Sequence, residues 1–116
     1  MAPCYRRDSY NRNKRDGSMG HFIITFRIKD TGSYQKRYDS FVEKVKEIST
    51  DRWEETSSFY AITATGTAQE ICDTLYLRTD FVEAWDQMVV IDLDRKEKAF
   101  RGPDMYEHTL GACLGF

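Results

Sequence analysis

Five basic or aromatic side chains gather near the first turn of this chain, and their types suit phosphate contact and base stacking. Arg27 and Lys29 share one face of an extended segment, and Lys36 and Arg37 open the next segment beside Tyr34. A guanidinium or ammonium with an aromatic ring nearby can hold a phosphate while a base stacks on the ring. Asp30, in the turn between them, is the nearest carboxylate. The plainer reading is a solvated sheet edge followed by a helix surface. That reading is favoured by the small number of cations, because phosphate-driven affinity grows with each neutralised phosphate.

Other chemistry is weakly represented. The chain has no Gly-rich phosphate loop, no G-x-S-x-G, no H-E-x-x-H and no paired-histidine spacing. His21 and His108 stand at a strand start and in the tail, where solvated imidazoles are expected. The acids Asp73, Asp80, Glu83, Asp86 and Asp94 read as solvating groups on helix faces and loops. Asp92 ends an apolar strand and reads as a turn former. Cys4, Cys72 and Cys113 are odd in number and far apart, so reduced thiols are expected rather than a disulfide or zinc site. No motif calls for a cofactor or a metal.

The elements that position these groups follow from periodicity. His21–Lys29 alternates, with Phe22, Ile24, Phe26 and Ile28 on one face and Ile23, Thr25, Arg27 and Lys29 on the other. Asp30–Ser33 is a turn cluster, with Ser33 or Thr31 available as a helix cap. Tyr34, Tyr38, Phe41, Val42, Val45 and Ile48 then mark one face of a helix. A short extended piece at Arg52–Thr56 and a strand at Phe59–Thr65 follow. Thr67-Ala68-Gln69-Glu70 is a capping box, opening a helix whose face carries Ile71, Cys72 and Leu75. Gln87–Leu93 is a nearly continuous apolar strand, as expected where helices cover one face and a partner the other. Lys96–Arg101 is a candidate short edge strand, broken by Gly102-Pro103.

The order β-α-β-β-α-β predicts an α+β, ferredoxin-like fold: a four-stranded antiparallel sheet, strand order 4-1-3-2, with both helices on one face. The division expected is a disordered basic N-terminal arm at 1–20, the ferredoxin-like domain at 21–101 and a C-terminal tail at 102–116. Residues 1–19 carry five basic and two acidic groups, and the rest of the chain 12 and 17, so a +3 arm precedes a −5 body. Met19 is a candidate start, so the arm receives little functional weight. The composition, 41% hydrophobic and 31% charged, is that of a globular domain. With neither a span of ~20 apolar residues nor an apolar stretch behind the basic start, the expectation is a cytoplasmic protein with no membrane association. A bare sheet face opposite the helices, with Trp53 and Trp85 as exposed aromatics, predicts a homodimer.

At Ser58–Arg78 the sequence SFYAITATGTAQEICDTLYLR resembles the GhoS antitoxin endoribonuclease family, with its S-F-x-I-T run, small-residue turn and acidic A-x-E-I helix. The segment FRIKDTGSYQKRY resembles that family's first strand and Ser-Tyr helix start. A related group is the CRISPR-associated small ferredoxin-like nucleases. The resemblance covers residues 21–100 and implies a ferredoxin-like homodimer that cleaves single-stranded RNA. In the CRISPR-associated group the first strand ends in an aromatic-Asp pair that binds a metal. Here the pair is Phe26-Arg27, and an arginine cannot ligate a divalent cation. The implied activity is therefore cleavage without a required metal, with Arg27 holding the phosphate and Asp30 the nearby carboxylate. Arg27, Lys29, Tyr34, Lys36 and Arg37 form the implied nucleic-acid contact. The competing readings are a non-catalytic dimeric module of the same fold that binds nucleic acid or protein, and a small-molecule-sensing regulator.

Overall fold

The structure is a computed structural model describing residues 19–116. The N-terminal arm and Cys4 lie outside the described residues, apart from the arm's last two positions. Eight elements follow one another: β1 (Met19–Arg27), α1 (Tyr34–Ile48), β2 (Asp51–Trp53), β3 (Phe59–Thr65), α2 (Ala68–Leu77), β4 (Gln87–Asp92), β5 (Glu97–Arg101) and α3 (Glu107–Leu114). The fold is α+β. No helix among the described residues is long and apolar enough to cross a membrane.

The sheet is antiparallel throughout, in the order β2-β3-β1-β4-β5. Its first four strands stand in the expected order 4-1-3-2, but the sheet has five strands, not four. The added strand, Glu97–Arg101, pairs with β4 through a turn in which the Asp92 carboxylate accepts the N–H groups of Asp94 and Arg95, both at 3.0 Å. Asp92 is thus a buried turn former. β1 begins at Met19, two residues earlier than periodicity predicts, because Met19 and Gly20 pair with Thr65 and Ala64.

One face of the sheet forms the core. Phe22, Ile24 and Phe26 of β1, Tyr60 and Ile62 of β3 and Met88 and Val90 of β4 meet Phe41 and Val45 of α1 and Ile71, Cys72 and Leu75 of α2. Both helices therefore pack on the same side, as two amphipathic faces sharing one apolar surface must. The capping box of α2 forms: Glu70 N–H donates to Thr67 Oγ1 at 3.1 Å, and Thr67 N–H donates to Glu70 Oε1 at 2.9 Å. Ser33 occupies the N-cap of α1 but does not cap it with its side chain. Its hydroxyl accepts from Arg37 Nε instead.

The C-terminal residues are not a bare tail. Gly102, at φ +124°, turns the chain so tightly that a Cβ would stand 2.3 Å from the Asp86 carbonyl oxygen. The segment then crosses the second face of the sheet. Gln87 Nε2 donates to Pro103 O at 2.7 Å, Met105 lies by Thr25 and Val89, and Lys98 Nζ donates to Phe116 O at 2.8 Å. Cover for the β4–β5 half of that face, expected from a partner, comes from the chain itself. The bare face behind the homodimer expectation is accordingly smaller than the sequence suggests.

Candidate functional site

Arg27 and Lys29 lie at the end of β1, where the chain leaves the sheet, and both are exposed. They line a cleft of about 520 Å³ whose other walls are Trp85, Gln87, Pro103 and Tyr106, with Asp104 beside them. Trp85 is 42% exposed and Tyr106 72% exposed. The cleft therefore has two cations, two accessible rings and one carboxylate. Three separate segments build it: the end of β1, the loop before β4 and the loop before α3.

The rings are held in place by backbone geometry and by a buried ion pair. Trp85 N–H donates to Val82 O at 2.9 Å, fixing the loop that carries it. The Arg37 guanidinium lies 5.0 Å from the centre of the Trp85 ring, a cation–π distance. Tyr106 sits at the N-terminus of α3 with φ +50°, and Asp104 has φ +53°. Left-handed backbone at two non-glycine residues is uncommon and costs of order 1 kcal/mol or more each.

Arg37, assigned to nucleic-acid contact from the sequence, is not offered to a ligand. It is 1% exposed and pairs with Asp86, which is 0% exposed. Its Nε donates to Ser33 Oγ, and its Nη2 to the carbonyl oxygens of Lys29 and Thr31. Asp86, expected to be a solvating surface acid, is buried and accepts from Lys29 N–H at 3.0 Å and Val82 N–H at 2.9 Å. The pair ties the β1–α1 turn to the loop before β4, so both sides of the cleft share one anchor. Lys29 gains its place in the cleft partly through this bond to its own backbone.

The other predicted residues are spread around the turn. Tyr34 packs against Tyr38, ring centres 5.8 Å apart, on the edge of the core. Lys36 is exposed on α1 and Asp30 in the turn, and neither lines the cleft. The aromatic partners of Arg27 and Lys29 are therefore Trp85 and Tyr106 rather than Tyr34. Sequence reasoning noted Trp85 only as an exposed ring and passed over Tyr106. Both sit in loops distant in sequence from Arg27, and no local spacing links them.

A second arrangement lies at the opposite end of β1. His21 Nδ1 is 3.0 Å from Asp94 Oδ2, and His21 N–H donates to the same oxygen at 3.0 Å. The imidazole expected to be merely solvated is thus held by a carboxylate. No group of three or more His, Cys, Asp or Glu side chains that could hold a metal ion occurs among the described residues. The chain matches no protein-family model, and no curated protein or solved structure is significantly similar to it.

Proposed function

We propose that this chain is a ferredoxin-like protein that binds single-stranded RNA in the cleft at the end of β1. One observation carries the reading: Arg27 and Lys29 converge with the exposed rings of Trp85 and Tyr106 on a single cleft. The cations hold phosphates and the rings accept bases without sequence preference, because every base has a π-face. All four groups come from one chain, so binding needs no second copy.

Cleavage of the bound strand is the stronger form of this reading, and its support is the resemblance to antitoxin endoribonucleases. Arg27 is then the group that stabilises charge on the scissile phosphate, as a guanidinium does well. Asp104, not Asp30, is the carboxylate on the cleft wall and the group available to take a proton.

Fluorescence anisotropy with a labelled, unstructured RNA tests the binding. Two contacted phosphates give a salt slope of about −1.4, at ~0.7 per phosphate for single strands. Arg27→Ala should lower affinity about tenfold and reduce that slope by about 0.7. Trp85→Ala should lower affinity about fivefold or more with the slope unchanged. Wild-type affinity in both variants refutes the cleft as the site. Incubating the same RNA with chelator, and then with magnesium or manganese, tests cleavage. Cleavage abolished by chelator would overturn the metal-free form.

A further inference from the structure

The cleft opens onto a longer surface. On the face of the sheet away from α1 and α2, β1 presents Arg27, Thr25, Ile23 and His21 in turn, and β3 places Phe59 and Ala61 opposite Thr25 and Ile23. The C-terminal segment crosses the β4–β5 half of this face and reaches the edge of β1, where Met105 lies by Thr25 and Val89, and Lys98 donates to the Phe116 carbonyl. The half that no other described residue covers is a track with that segment as one wall. Its far end is a groove of about 360 Å³ lined by His21, Asp51, Trp53, Thr63 and Leu93.

The groove has the features of a base-sized site. Trp53 is 47% exposed and Leu93 50% exposed, so two apolar walls face solvent. The Trp53 ring stands edge-on to Phe59, with centres 6.1 Å apart. Asp94 holds His21 through Nδ1, and Nε2 has no partner among the described residues. Asp51 lines this groove together with Arg52, whose guanidinium is tied to Glu54 at 3.1 Å. A base edge, with its amino and imino groups, can donate to a carboxylate or bond to Nε2.

We infer that the RNA strand held at the Arg27 cleft continues along this track and places a second base against Trp53, its polar edge toward His21 and Asp51. The inference rests on the cleft reading. His21 and Arg27 are six residues apart on β1, which is roughly 20 Å at ~3.3 Å per residue. A strand at the ~3.4 Å rise of stacked bases crosses that distance in about six nucleotides. Arg27 and Lys29 line the cleft at one end, and Trp53 and Leu93 wall the groove at the other. The strand therefore anchors by its backbone at Arg27 and by a base at Trp53.

The test is a length series of labelled RNA, from three to eight nucleotides, against the wild type, Trp53→Ala, Leu93→Ser and Trp85→Ala. Affinity should rise with length and level off near six nucleotides. Trp53→Ala should weaken the eight-nucleotide ligand about fivefold or more and leave the trinucleotide unchanged, while Trp85→Ala weakens both. Leu93→Ser, on the other groove wall, should repeat the length-dependent loss and guards against a folding defect in one variant. Affinity already level at three nucleotides, or wild-type affinity of both groove variants for the longest RNA, would overturn the track while leaving the cleft intact. No binding at any length would overturn both.

Discussion

Arg37 and Asp86 form an ion pair across 49 positions of sequence, with both side chains withdrawn from solvent. Asp86 also accepts two main-chain N–H groups, and Arg37 also donates to two main-chain carbonyls. The pair is the knot between the β1–α1 turn and the loop carrying Trp85. Asp86→Ala leaves a guanidinium buried without its counter-charge, at a cost of about 3–5 kcal/mol. The double variant Arg37→Met with Asp86→Ala should lose less than the sum of the single changes. Urea denaturation of the four proteins of this cycle measures both quantities. Additive losses would mean the two groups act independently.

Gly102 is required by close approach as well as by its dihedral. Gly102→Ala should destabilise by more than ~1 kcal/mol, since its Cβ would meet the Asp86 carbonyl oxygen and Gln87 Cα at 2.3 and 2.8 Å. Gly32→Ala is the control: its φ is +51° but nothing lies within 4 Å of the new methyl group. Denaturation midpoints should rank wild type, then Gly32→Ala, then Gly102→Ala. The opposite order for the two variants would contradict the packing argument.

Burial pushes the Cys72 thiol from 9.0 up to about 11, with Asp73 adding to the rise and Arg101 opposing it. A pKa higher in the folded state than in the unfolded one gives stability that is complete below pH 9 and is lost as pH rises toward 11. The buried Tyr60 phenol is also raised and adds a loss of the same sign at the alkaline end. The stability gap between wild type and Cys72→Ala should therefore narrow between pH 8.5 and pH 10.5, about half a unit outside and inside that window. A gap that stays constant would show that Cys72 ionises equally in both states.

The helix α3 has no buried residue, and Leu110, Leu114 and Phe116 are only half covered. Its amide protons should exchange faster than those of α1 and α2, because few apolar contacts oppose local opening. Lys98→Ala removes the bond to the Phe116 carbonyl and the contact with its ring. Exchange in α3 should then accelerate further while β1 stays protected. Native-state hydrogen exchange read by mass spectrometry distinguishes the segments, and equal protection of all three helices would refute a loosely docked α3.

Much of this architecture is local and therefore legible in the chain. The alternation Phe22, Ile24, Phe26 and the helical spacing Phe41, Val45 each define a face, and Thr67 with Glu70 writes a helix start in four residues. Two such helices and the strand between them leave few ways to bury their apolar faces together, which is why the order of the first four strands was already legible. The fate of the charges was not. Arg37 and Asp86 look like surface residues by type, and their burial depends on two loops meeting, with Ser33, Lys29 and Thr31 supplying the remaining hydrogen bonds. The same holds for the cleft. Arg27 and Lys29 announce a basic edge, but their aromatic neighbours arrive from Trp85 and Tyr106, through a sharp turn at Gly102 and left-handed backbone at Asp104 and Tyr106. Periodicity records which side of an element faces the core. It carries no record of which distant loops share a wall, and that is set only when the chain closes on itself.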